Sequence, residues 1–456
     1  MTCHSDRNGL LSKLLLSNAR LVNEGEVRDA DVLIDGERIA EIASTIAAPA
    51  DATVIDLDGK YLLPGMIDDQ VHFREPGMPH KGDLATESAA AAAGGITSFM
   101  DMPNVNPQTT TREALRDKYS MAANRCTANY GFYLGATNSN IEEIKALQVG
   151  EAAGIKAFMG ASTGDMLVDN PAALEKLFEH APTIVLTHCE DSPMIWENEA
   201  AARAKFGEDV PFSEHPSIRS AQACIKSSSF AVDLATRHDA LLHVLHLTTA
   251  IEMGLFSNAH RSEKRITAEV CVHHLWFDES RYDELGANIK CNPAIKGKED
   301  REALIAALND RRIDVIATDH APHTAEEKAA TYFMSPAGLP LVQHALLTLF
   351  DLAKDGQISV ELIVDRACHA SADIFGVADR GYVREGYYAD LVIVDPDKPY
   401  RVDASNLLSK CQWSPFEGHE FSASIDTTIV NGDIVYRDGR LTGRVAGQKL
   451  EFGRSR

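Results

Sequence analysis

Asp314-Val315-Ile316-Ala317-Thr318-Asp319-His320-Ala321-Pro322-His323 is an apolar strand that ends in a carboxylate and two imidazoles. A carboxylate at the end of an apolar strand is buried, and a buried charge needs a cation. Seven more stretches upstream have the same strand character: Met66–His72, Ile96–Met102, Asn129–Leu134, Gly154–Phe158, Thr183–His188, Leu241–Leu247 and Arg265–Val272. Helical patterns separate them, as at Asp83–Ala93, Asn140–Leu147, Pro171–His180 and Arg301–Asn309, and residues 191–236 read as helical. Eight parallel strands alternating with helices predict a closed (β/α)8 barrel of the TIM type over residues 65–384.

The two ends of the chain read differently. Ala19–Val22, Asp31–Ile34, Arg38–Ile42 and Thr53–Asp56 are β-rich, with turns at Asp35-Gly36 and Asp58-Gly59. Ala389–Val394, Thr427–Val430 and Asp433–Tyr436 match them, with a hairpin signal at Asn431-Gly432. Residues 1–64 and 385–456 are therefore expected to build one small β-sandwich domain together.

Barrel enzymes carry their chemistry at the C-terminal ends of the strands, and the informative polar residues fall there. Side chains two apart share a strand face, so Gln70, His72 and, if the strand continues, Arg74 point the same way. A lone His at such a place more often packs than ligates, so His72 needs company. Lys156 sits in the apolar strand Gly154–Phe158, where a lysine must be paired or modified. A carbamate on its amine would turn a cation into a bridging metal ligand. His188 ends the fifth strand. The sixth offers His243 and His246, three apart and on opposite faces, of which His246 is nearer the C-terminal end and His243 is read as packed or supporting. His273-His274 is read as structural. Asp319 could hold a metal and carry the proton of the water it activates, zinc being the ion that accepts imidazole nitrogen and carboxylate oxygen together.

The formal net charge of −23 over 456 residues disfavours nucleic acid and anionic membranes as partners. Eight scattered cysteines without a C-x-x-C pair suit reduced thiols in a cytoplasmic protein. Leu10–Leu16 is too short and interrupted for a signal peptide, and no apolar run is long enough for a membrane span.

Together these residues resemble the amidohydrolase superfamily, in its branch of dihydroorotases, hydantoinases and allantoinases. Asp68–Gly77 (DDQVHFREPG), Asp101–Pro107 (DMPNVNP), Glu269–Leu275 (EVCVHHL), Lys290–Pro293 (KCNP) and Ile316–His323 (IATDHAPH) carry the resemblance, and within the branch they look most like dihydroorotases. The resemblance implies two Zn2+ per chain: His72 and Asp319 on one, His188 and His246 on the other, carboxylated Lys156 between them. It implies that an activated water opens a cyclic amide, with Asp319 passing the proton to the leaving nitrogen. It places Arg74, Asn104 and His323 on a substrate carboxylate and Asn292 on the ring, in a homo-oligomeric enzyme that turns dihydroorotate and N-carbamoyl-aspartate into one another. Gly160–Asn170 is the expected covering loop, and it lacks the Tyr that hydantoinases usually place there. An allantoin-type substrate and a non-catalytic partner of a transcarbamoylase are the other readings. One departure stands out: the family's His-x-His is here Gln70-x-His72, and an amide oxygen is a weaker zinc ligand than imidazole. A looser first metal, a centre with one tight metal, or lost activity would each follow from it.

Overall fold

A computed structural model describes residues 13–162 and 166–453. Its centre is a ring of parallel strands: Met66–Val71, Ile96–Asp101, Asn129–Phe132, Ile155–Phe158, Val185–His188, Leu242–Val244, Ile266–Cys271 and Val315–Ala317. Each pairs in parallel with the next. The third is interrupted at Tyr133 and resumes as Leu134–Gly135, which pairs with Ile155–Lys156. The ring closes where Val71 bridges His320 and the His72 N–H reaches the His320 carbonyl at 2.7 Å. This is the predicted barrel.

The helices outside it start where capping chemistry allows. The helix Leu84–Ala93 begins on Asp83, whose carboxylate accepts from the Ala85 and Thr86 N–H groups, and Thr86 returns the bond. Its alanine-rich run lets it lie close against the strands. Pro171–His180 opens on proline behind the Asn170 cap. The long segment after the fifth strand forms Ser192–Phe206, His215–Ile218 and Ala221–Arg237.

Several barrel strands are shorter than the apolar patterns suggest. The first ends at Val71, the sixth at Val244 and the eighth at Ala317. Beyond each of these ends stands a residue with left-handed backbone: Arg74 at φ 68°, His246 at φ 38° and Asp319 at φ 50°. That conformation breaks the pleat, so the ladder stops before the residue that was expected to finish it.

Both ends of the described chain meet in one nine-stranded sheet. The strand Lys13–Asn23 is central. Its first half pairs in parallel with Ala52–Asp56, and after a register shift between Leu16 and Ala19 its second half pairs with Tyr61–Pro64. Tyr61–Pro64 in turn pairs with Leu391–Asp395 from the far end of the chain. Leu16, Val32, Ile55, Leu62, Leu391 and Ile429 fill the core of this unit. The seven described cysteines are buried and unbridged, and Cys3 lies outside the described residues. Among the described residues no helix is long and apolar enough to cross a membrane.

Candidate active site

At the C-terminal rim of the barrel lies a cavity of about 200 Å³. All ten residues singled out in the sequence line it: Gln70, His72, Arg74, Asn104, Lys156, His188, His246, Asn292, Asp319 and His323. They come from the first, second, fourth, fifth, sixth and eighth strand ends and from the Asn292 loop, so only a closed barrel brings them together.

The imidazoles are held with their lone pairs facing inward. His188 Nε2 donates to Glu190 Oε2 at 2.8 Å, and Arg219 fixes that carboxylate at 2.6 Å. This leaves His188 Nδ1 to accept from His246 Nε2 at 2.9 Å, so the unpartnered His246 Nδ1 carries that ring's lone pair. Burial holds both rings below their usual pKa, so both are neutral. His72 Nδ1 lies 2.8 Å from Asn104 Oδ1 and its Nε2 lies 3.1 Å from Asp319 Oδ1. A neutral imidazole has one N–H for these two oxygens, so one of the two contacts lacks a hydrogen.

Lys156 points into the same cavity. Its Nζ is fully buried and has no hydrogen-bond partner among the described residues, with the Phe158 ring 4.6 Å away. Burial lowers its pKa to about 8. Burial alone would raise the Asp319 carboxyl, but the His72 contact and the charges of His273 and Lys156 outweigh it and hold the group below its usual range. Asp319 is thus an ionised base at neutral pH. Gln70 turns its amide nitrogen to Asp319 Oδ1 at 3.1 Å. In this arrangement it is a neutral donor to the carboxylate, and its oxygen lies 3.9 Å from Cys271 Sγ.

The far wall is cationic. Arg74 Nε donates to the Pro322 carbonyl at 3.0 Å and Nη2 lies 2.9 Å from His323 Nε2. Lys81 Nζ donates to His323 Nδ1 at 3.1 Å. Burial and these cations push His323 well below its usual pKa, while burial lowers Arg74 to about 10. Nearby, the buried Asn292 Oδ1 has no partner among the described residues. This wall suits a planar anion that brings its own acceptors.

Known proteins share this architecture and its sequence. A model of the amidohydrolase family matches residues 61–435. The chain belongs to the amidohydrolase family. A dihydroorotase of Halobacterium salinarum is 35% identical over 433 residues, covering 91% of this chain and 97% of its own. A dihydroorotase of Bacillus cytotoxicus is 34% identical over 434 residues, covering 93% and 98%. Among solved structures, the L-hydantoinase (dihydropyrimidinase) from Arthrobacter aurescens superposes with a TM-score of 0.90 at 25% identity, covering 96% of this chain and all of its own. The dihydropyrimidinase from Brevibacillus agri gives 0.88 at 26% identity, covering 97% and 100%. This amidohydrolase is accordingly a hydrolase of cyclic amides.

The fold of the amidohydrolase also supplies residues that sequence reasoning passed over. Glu190 and Arg219 set the His188 tautomer, yet Arg219 is far along the chain and carries no motif. Asp101 accepts from the Phe73 N–H at 2.8 Å and meets Lys118 Nζ at 2.6 Å in full burial, which pins the turn between His72 and Arg74. Gly338, at φ 140°, closes the cationic wall; a Cβ there would stand 2.4 Å from the Ala321 carbonyl oxygen and 3.1 Å from the His323 ring. The expected covering loop is described only in part. Residues 163–165 lie outside the described set, and on their far side the Val168 N–H bonds the Phe158 carbonyl at 2.9 Å.

Proposed function

We propose that this amidohydrolase is a dihydroorotase, interconverting (S)-dihydroorotate and N-carbamoyl-L-aspartate in cytoplasmic pyrimidine synthesis, and that it works as a homo-oligomer. The observation that carries the substrate is the buried guanidinium of Arg74, beside His323, in the same cavity as the ligand-bearing side chains. A neutral hydantoin has no use for a desolvated guanidinium, whereas a ring carboxylate does. The names of the two dihydroorotases, at 34–35% identity, support the same reading, while the hydantoinase and dihydropyrimidinase structures share the fold.

Zinc fits the donor set. Unpartnered Lys156 Nζ and His246 Nδ1, and a His72 ring with one N–H for two facing oxygens, make a pocket whose polar atoms suit a cation. His72 and Asp319 would hold one ion and His188 and His246 the other, with Lys156, carboxylated, between them. Bound there, zinc would supply Lewis acidity toward the ring carbonyl and lower the pKa of water. The chain's own residues do the rest. Arg74 and His323 fix the substrate carboxylate, the Asn104 amide adds a donor beside them, and Asn292 meets the ring. Asp319, ionised and held by Gln70 and His72, takes the proton of the attacking water and returns it to the ring nitrogen as the amide bond breaks.

Zinc-loaded protein assayed with dihydroorotate, allantoin and hydantoin tests the substrate; inertness to dihydroorotate alone refutes it. Arg74→Met raises KM for dihydroorotate about 10²-fold, the scale of a lost buried charge contact, and leaves any hydantoin turnover near its starting value. Unchanged KM in steady-state kinetics would remove the clamp from Arg74. Gln70→His adds an imidazole at the first metal and lowers the zinc dissociation constant at least about tenfold, read by competition with a chromogenic chelator.

A further inference from the structure

Beneath the rim, inside the barrel, lies a second cluster that the proposed reaction does not use. Asp69 follows Asp68 on the first strand, His243 stands on the sixth and Glu269 on the seventh. The first strand neighbours the second and the segment after the eighth, so Asp69 can reach the other two only across the barrel interior. All three side chains are fully buried. Their ligand atoms lie within 4.8 Å of one another.

What surrounds the cluster makes its inner atoms available. Thr267 Oγ1 donates to the Leu242 carbonyl at 3.2 Å and so accepts from His243 Nδ1 at 2.8 Å. Burial alone would lower this ring's pKa, but Asp69 and Glu269 outweigh it and raise it to about 9, so Nε2 offers a lone pair to an ion that displaces its proton. Glu269 spends Oε1 on the His246 N–H at 2.9 Å and leaves Oε2 free. Asp68 beside it is satisfied by the Thr318 hydroxyl at 2.6 Å and two backbone N–H groups. Asp69 has no such help. Both of its oxygens, Glu269 Oε2 and His243 Nε2 lack a hydrogen-bond partner among the described residues.

We propose that Asp69, His243 and Glu269 form a further binding site for a divalent transition-metal ion, in the barrel interior and separate from the rim cavity. The spacing favours an ion over a shared proton. A charge-assisted N–H···O bond closes to about 2.7–2.9 Å. Here Nε2 lies 3.3 Å from Asp69 Oδ2 and 3.7 Å from Glu269 Oε2, ion-pair contacts longer than that bond. Ligand atoms at about 2.0–2.2 Å from a tetrahedral ion stand roughly 3.3–3.6 Å apart, and one imidazole with two carboxylates is a set that zinc accepts. A divalent charge also cancels the two carboxylates that burial has stripped of water. Because Glu269 holds the backbone of His246, an ion here would brace that residue from below.

The test uses the full chain, stripped with a chelator, reloaded with Zn2+ or Mn2+ and crystallised. Anomalous maps at the metal edge are expected to show a peak between Asp69, His243 and Glu269, distinct from any peak at the rim. Elemental analysis is expected to give one ion fewer per chain for Asp69→Asn than for the parent. Metal-saturated parent crystals without an interior peak, or an Asp69→Asn chain that keeps both peak and stoichiometry, overturn the proposal. Should Asp69→Asn fail to fold, the parent map decides alone. An interior peak with an empty rim supports this site while refuting the proposed zinc at the rim.

Discussion

Asp319→Asn is expected to lower kcat for dihydroorotate by about 10⁴-fold, the scale on which a group that acts directly on the reacting proton is felt. The amide keeps the shape of the side chain and one oxygen for a metal, but it cannot take a proton. The ionised state of Asp319 is held by its own surroundings, His72 first among them, so the loss should appear across the neutral pH range rather than as a shifted optimum. Zinc content by elemental analysis separates the two duties of the residue. If the variant keeps its full zinc complement and turns over within tenfold of the parent, the proton-carrying role is wrong.

Lys156→Met is the second large effect, and it runs in opposite directions for activity and stability. Without the proposed carbamate, the two metal positions proposed at the rim would lose their common ligand. Zinc should fall by one ion or more per chain and kcat by at least about 10³-fold, in line with the loss of a directly coordinating group. Yet the metal-free protein should become more stable. An amine with no hydrogen-bond partner among the described residues, buried beside Phe158, is costly to hold, and a methionine of similar length removes that cost, about 1–3 kcal/mol. Thermal unfolding of the chelator-treated proteins measures it. A lower Tm for Lys156→Met without metal would mean that the amine has a partner, and the bridging role would lose its main support.

The barrel was legible because its strands are apolar runs of strand length separated by helical periods, a pattern with few alternatives. The clustering of the rim residues was legible for a related reason: nine of the ten stand at or just past a strand's C-terminal end, where closure of the ring leaves them one place to meet, and Asn292, on a loop, came through the family resemblance alone. What could not be read was anything set by backbone hand or by distant partners. The alternation rule carried Arg74 onto the face of Gln70 and His72 by extending the strand, whereas the residue reaches the cavity through a left-handed turn after the strand has ended. The apolar pattern ran the sixth strand to Leu247, but the backbone of His246 departs from the pleat first. Gln70 was weighed as a ligand through its oxygen; only coordinates show its nitrogen turned to Asp319. Asp68 and Asp69 are chain neighbours, and nothing local says that one finds hydroxyl and amide partners while the other faces a histidine and a glutamate across the barrel.

The backbone at Arg74, His246 and Asp319 has a consequence for anyone who evolves this protein. Non-glycine residues hold such angles at about 1 kcal/mol or more each, so the three positions are places where heat resistance can be gained cheaply by glycine or, at the basic positions, asparagine. A selection for survival at high temperature alone would drift toward those exchanges and discard the residues proposed as anion clamp, imidazole ligand and proton carrier as it went. Directed-evolution campaigns on this chain therefore have reason to rank libraries by turnover before they rank them by melting point.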